Sequence, residues 1–118
     1  MARIRHIAIY SDNPEKEASF YIRAFELKEV RRSPSGSVFL SDGYINLALL
    51  KSKGDAEAKG LHHFGFQVEN LESTQERLRQ LKPDIEIIPP HDSVTFAEYK
   101  LKDPDGNTFD ISEKGWAV

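Results

Sequence analysis

The feature that most constrains this chain is a repeat within it. His6-Ile7-Ala8-Ile9 is echoed by His63-Phe64-Gly65-Phe66, and each tetrapeptide opens a half with the same order of elements. In the first half Ile7 and Ile9 alternate with His6, Ala8 and Tyr10, the two-residue period of a strand. Asp12-Asn13-Pro14-Glu15 then supplies a polar cap, a proline for the first turn and acid for the positive helix end. Ala18, Tyr21, Ile22 and Phe25 recur at i, i+3, i+4 and i+7, which predicts one apolar helix face. Strands are predicted at Lys28–Arg32, Ser37–Leu40 and Tyr44–Leu50, separated by the Pro34-Ser35-Gly36 and Asp42-Gly43 turns.

The second half repeats that order. Leu61–Val68 alternates as a strand. Asn70 can cap a helix with Leu71, Leu78 and Leu81 near one stripe, and Pro83 stops it. Ile85–Ile88, Thr95–Lys102 and Thr108–Glu113 are three further strands in this reading. Asp103-Pro104-Asp105-Gly106-Asn107 is the tight turn before the last, with Gly106 free to take a positive φ. Lys51–Gly60 is polar and reads as a linker. The expectation is an α+β fold of two tandem βαβββ units, forming curved mixed sheets around a cleft, each covered by a helix. It is a single domain over 1–118, with unit one at about 3–50, the linker at 51–60 and unit two at about 61–113.

Composition narrows the function. No cysteine is present, which excludes disulfides, thiolate zinc sites and thiol nucleophiles. A net charge of -3 argues against nucleic acid as a partner. The longest nearly apolar run, Tyr44–Leu50, is far shorter than the ~20 residues of a membrane span, and Met1–His6 shows no signal-peptide pattern. The expected setting is the cytoplasm, with no membrane partner.

Strand parity selects the residues that can meet in the cleft, because i and i+2 share a face. With Ile7 and Ile9 under the helix, His6 and Ala8 face inward; with Ile45, Leu47 and Leu49 in the core, so do Asn46 and Ala48. Phe64, Phe66 and Val68 in the core turn His63 and Gln67 inward, and His62 outward. Phe109 and Ile111 in the core turn Thr108 and Asp110 inward; Ala97, Tyr99 and Leu101 do the same for Phe96, Glu98 and Lys100. His6, Asn46, His63 and Asp110 thus converge from four strands.

His6-Ile7-Ala8, Gly60-Leu61-His62-His63-Phe64-Gly65-Phe66 and Asp103-Pro104-Asp105-Gly106-Asn107, in this order within a duplicated unit, resemble the vicinal oxygen chelate superfamily. That superfamily includes glyoxalase I, bleomycin-resistance proteins, fosfomycin-resistance thiol transferases, methylmalonyl-CoA epimerase and extradiol dioxygenases. The resemblance runs from His6 to Ser112 and implies a divalent metal (Mn, Fe, Zn, Ni or Co) held by His6, His63 and Asp110. It implies Lewis-acid chemistry on a small oxygenated substrate: an isomerase, lyase or thiol transferase. The alternative is a metal-free small-molecule-binding protein similar to bleomycin-resistance proteins. Asn46 stands where glyoxalase-like members usually present Glu, and Asp110 stands for a usual Glu. Ala8 replaces the threonine of fosfomycin-resistance enzymes, and their serine-rich loop has no counterpart in His91-Asp92-Ser93-Val94.

The remaining inward residues are candidates for substrate and catalysis. Glu98 reads as a general base or an ion-pair partner of Lys100. Lys100 suits an anionic substrate group, with Gln67 and Asn46 as further substrate contacts. His62 reads as a surface or subunit-contact residue, His91 as a solvated or lid histidine, and Trp116 as the cover of a seam or subunit contact. Similar short members pair as homodimers whose sites draw on both chains, so a homodimer with shared sites is expected.

Overall fold

The computed structural model describes residues 2–53, 59–90, 98–114, 116 and 118. They form an α+β fold of seven strands of mixed direction and two helices. In chain order these are β1 (Arg3–Ser11), α1 (Pro14–Phe25), β2 (Lys28–Arg32), β3 (Val38–Ser41), β4 (Asn46–Lys51), β5 (Gly60–Gln67), α2 (Leu71–Leu81), β6 (Tyr99–Lys102) and β7 (Thr108–Ser112). Two compact units divide the chain. The first comprises His6–His62 with Trp116–Val118, and the second Met1–Arg5 with His63–Gly115. Among the described residues no helix is long and apolar enough to cross a membrane.

In the first unit the strands run in the order β2-β3-β4-β1, antiparallel except for the parallel β1–β4 pair. A parallel pair needs a long connection, and α1 with β2 and β3 provides it. The predicted cap forms: the Asn13 side chain accepts from the Lys16 N–H, and Pro14 sits at the first helical position, where its missing N–H costs nothing. Val38, Leu40, Leu49 and Ala18 form the buried core, with Ile9, Tyr21, Ile22 and Leu47 packed on it. Every residue of β3 is buried. Its two faces differ in kind: Val38 and Leu40 enter this core, while the alternate residues Phe39 and Ser41 take the other side.

In the second unit β5 and β7 pair in parallel and β7 and β6 antiparallel. Leu101, Phe109 and Ile111 form the core, joined by Phe64, Phe66, Leu71, Leu78 and Tyr99. The Asn70 carboxamide oxygen accepts from Ser73 N–H at 2.8 Å and so caps α2 as predicted. The Glu113 carboxylate accepts from Leu71 N–H at 2.8 Å, a second cap supplied from beyond β7. Asp103–Asn107 closes the β6–β7 turn with Gly106 at φ 88, as its sequence predicts.

Two expectations need correcting. Ile85–Ile88 is not a strand: it makes one isolated bridge, in which the Ile88 and Lys100 backbones exchange two 2.9 Å hydrogen bonds. Pro83 and the Pro89-Pro90 pair bracket the segment, and prolines donate nothing to a ladder, so pairing does not extend. Ile85 and Ile87 still pack on the core, which explains the strand-like pattern. Neither Phe25 nor Leu81 continues the apolar stripe of its helix; each is the last helical residue, of α1 and α2, and they are 65% and 78% exposed. Part of the linker (54–58), together with His91, Phe96 and Ala97, lies outside the described residues.

Leu40 has no exposed surface and sits at the centre of the first core. Leu40→Ala is expected to cost about 2–5 kcal/mol, a fall in Tm on the order of 10 °C or more, read from thermal melts by far-UV circular dichroism.

Candidate metal centre

The alternation that builds each core also builds a second, polar face. In the first unit His6 pairs in register with Asn46, and Asn46 with Ser41, so the three side chains form a row across β1, β4 and β3. All three are buried, with exposures of 3%, 2% and 2%. Ala8 and Ala48, with no exposed surface, are the next register pair on that face. The His6 ring lies flat against Trp116, with centroids 3.8 Å apart and planes 8° from parallel. Trp116 also meets Phe39 at 5.5 Å.

In the second unit the register pairs Asp110 on β7 with Gly65 on β5 and with Lys100 on β6. His63 lies two residues before Gly65 and Glu98 two before Lys100, so parity sends all four polar side chains to one face. Asp110 is 1% exposed, the most deeply buried acid among the described residues. One of its oxygens accepts from the Lys100 ammonium at 3.1 Å, and the other lies 3.1 Å from His63 Nε2. His63 and Glu98 are also buried, whereas the Lys100 side chain is 47% exposed and reaches the site from outside. Ligand atoms of His63, Glu98 and Asp110 lie within 4.8 Å of one another.

This donor set fits a divalent ion. Imidazole nitrogen and carboxylate oxygen bind such ions at about 2.0–2.2 Å, so neighbouring ligands of one ion stand about 3 Å apart, close to the His63–Asp110 separation. The charges fit as well. Asp110 already has the Lys100 ammonium at one oxygen, and a second buried acid, Glu98, stands in the same cluster, an arrangement of donors that a divalent cation would neutralise.

The remaining candidates fall elsewhere. His62 is exposed, its ring tilted against Tyr10 at 4.6 Å, on the opposite face from His63 as parity predicts. Gln67 shares the strand face of His63 but stands four residues further along β5, roughly 13 Å away at strand rise. Its side chain donates to the Glu113 carbonyl at 3.0 Å and lines a groove of about 500 Å³ with Arg3, Arg5 and Glu69. Along β5 Gln67 stands two residues beyond Gly65, the register partner of Asp110. Trp116 was expected to cover a seam, but its stack on His6 is a contact that sequence reading missed. It lies past the last strand, outside both repeats, where its size signals burial but no periodicity signals a partner.

The fold and the polar face together define a glyoxalase-like protein. The family model of the Glyoxalase/Bleomycin resistance protein/Dioxygenase superfamily matches residues 3–111, and the chain belongs to that superfamily. Among solved structures, a hypothetical protein from Bacillus halodurans superposes with a TM-score of 0.71 at 18% identity, over 99% of this chain and 97% of that one. The 2,3-dioxygenase LapB from Pseudomonas sp. KL28 gives 0.73 at 18% identity, over 98% of this chain and 42% of that one. A Streptomyces coelicolor methylmalonyl-CoA epimerase variant, in complex with 2-nitronate-propionyl-CoA, gives 0.66 at 18% identity, over 92% and 94%. No curated protein sequence matches the chain.

The opposed faces of adjacent histidines make a sharp comparison. His63→Ala is expected to abolish tight binding of Ni²⁺ or Mn²⁺ in calorimetric titration, while His62→Ala retains it. The reverse result would mean a strand register displaced by one residue.

Proposed function

We propose that the protein is a divalent-metal-dependent enzyme acting on a small oxygenated substrate by isomerase, lyase or thiol-transferase chemistry. His6, His63 and Asp110 are the metal ligands. The observation that carries this reading is Asp110: a carboxylate at 1% exposure, with an imidazole nitrogen 3.1 Å from one oxygen and Glu98 in the same small cluster. His6 joins the set because it is the inward, buried histidine that opens the first repeat, as His63 opens the second.

A bound divalent ion supplies Lewis acidity that stabilises negative charge developing on a substrate oxygen. The other tasks belong to side chains. Glu98, buried beside the ligands, accepts a proton from the substrate. Lys100 holds Asp110 through one oxygen and leaves the rest of its ammonium facing solvent, where it attracts an anionic substrate group. Asn46, buried in register beside His6, offers a neutral amide to substrate or to a water on the metal. The second reading is a metal-free ligand-binding protein. It is favoured by the same Asp110, since Lys100 and His63 already occupy both sides of its carboxylate.

Elemental analysis of protein purified without tag or chelator separates the two. The enzyme reading expects about one transition metal per chain, lost in Asp110→Ala and reduced only modestly in Asn46→Ala. Protein that arrives without metal and cannot be loaded with Mn²⁺, Fe²⁺, Zn²⁺, Ni²⁺ or Co²⁺ would leave the binding reading standing.

The proposal extends to a homodimer with shared sites. His6 and Asn46 belong to one unit, and His63, Glu98, Lys100 and Asp110 to the other. A two-fold pair of chains can therefore assemble each site from one unit of each protomer. Mixing His6→Ala and Asp110→Ala dimers under exchange is expected to restore metal binding in the one site of each heterodimer that carries neither lesion. No restoration would place each site within one chain.

A further inference from the structure

His6 opens the first repeat and His63 the second, yet their surroundings differ. His63 lies beside a carboxylate, 3.1 Å from Asp110. His6 has an aromatic wall: the Trp116 ring covers one face of the imidazole at 3.8 Å and 8°, and Trp116 is itself 8% exposed and braced by Phe39 at 5.5 Å. The Arg31 guanidinium in turn lies over the Phe39 ring, 5.4 Å from its centroid. Trp116 follows β7, an element of the second unit, yet groups with the first.

The geometry of ligation gives this stack a consequence. Imidazole binds a metal through a lone pair that lies in the ring plane, so the ring must be held at one rotation about its terminal torsion, which is intrinsically broad. A parallel neighbour on the ring face restricts that rotation. It leaves the ring edge, where the nitrogens sit, uncovered. A hydrogen-bonding partner does the same for a ligand histidine through its second nitrogen; here a stacked indole restrains the plane as a whole.

We infer that Trp116 is a positioning residue: it pre-orients the His6 imidazole for metal ligation. This rests on the reading of His6 as a ligand. It adds to the site a residue from outside both repeats, one that contributes no donor atom. Flatness is what matters, so an aromatic replacement should serve and an aliphatic one of fair size should not.

The chain contains a single tryptophan among four tyrosines, so its indole fluorescence, excited selectively at the red edge of the absorption band, comes from this position alone. Ni²⁺ quenches indole emission at close range, and the wild-type protein is expected to lose most of its emission in step with one equivalent of bound Ni²⁺. Calorimetric titration with Ni²⁺ then compares Trp116→Phe, which keeps a flat ring, with Trp116→Leu, which keeps apolar volume. The Phe variant is expected to bind close to wild type and the Leu variant about 10–100-fold more weakly. A Leu40→Val variant, destabilised in the core away from the site, is expected to bind as wild type does, which separates positioning from general loss of stability. Equal affinity in the Leu, Phe and wild-type proteins would overturn the inference, as would stoichiometric Ni²⁺ binding that leaves the emission unchanged. Failure of the metal reading looks different: the wild-type protein itself would bind no Ni²⁺, and the inference would fall with it.

Discussion

Everything in this protein depends on the two-residue alternation of its strands. A residue on a strand can serve only one face, and the residues before and after it serve the other. In the first unit Leu47 and Leu49 take the α1 side with Val38 and Leu40, which commits Asn46 and Ala48 to the opposite side. There Asn46 meets His6 and Ser41, and Ala48 meets Ala8. The polar row is therefore a by-product of the apolar core. Moving one of its members to the helix side would carry every neighbour on that strand to the wrong face.

The second unit applies the same constraint to charged groups, where the stakes are higher. Phe109 and Ile111 enter the core, so Asp110 between them is driven to the other face and buried there at 1% exposure. A carboxylate so placed requires positive charge nearby, because desolvation costs several kcal/mol that only a close partner can offset. Lys100 answers in part: its register position opposite Asp110 holds its ammonium 3.1 Å from one oxygen. It enters from the solvent side on an outer strand, so its charge is screened more than that of a fully buried cation. Glu98 adds a second buried acid to the same cluster of possible metal ligands.

The superfamily to which the chain belongs hosts several chemistries on one backbone, so fold membership leaves the reaction open. In this chain the polar face of the first unit carries His6, Asn46 and Ser41 with Ala8 and Ala48 as the next pair, and that of the second carries His63, Glu98, Asp110 and the half-exposed Lys100.

Most of the fold was legible in the sequence, because its elements are amphipathic and well punctuated. Asn13 and Asn70 cap the helices where their side chains predict, and β2 runs from Lys28 to Arg32 as its pattern does. The facing of His63 against His62, and of Asp110 and Glu98 against Leu101, also followed from parity alone, since period two needs no knowledge of distant residues. What the pattern could not convey was whether a segment finds a partner. Ile85–Ile88 looks like a strand but finds only one bridge, and Leu81 looks like core but ends its helix in solvent. Distances were equally out of reach: the 3.1 Å approaches of His63 and Lys100 to Asp110 come from lateral register between strands far apart in sequence. Trp116 is the clearest case. The sequence by itself determined the helices, most of the strands and the alternation of faces along them, because each is set by local periodicity and capping chemistry. Only the tertiary structure could decide that Trp116, four residues past the last strand, lies flat on His6, because stacking across the length of a chain is settled by packing and leaves no periodic trace.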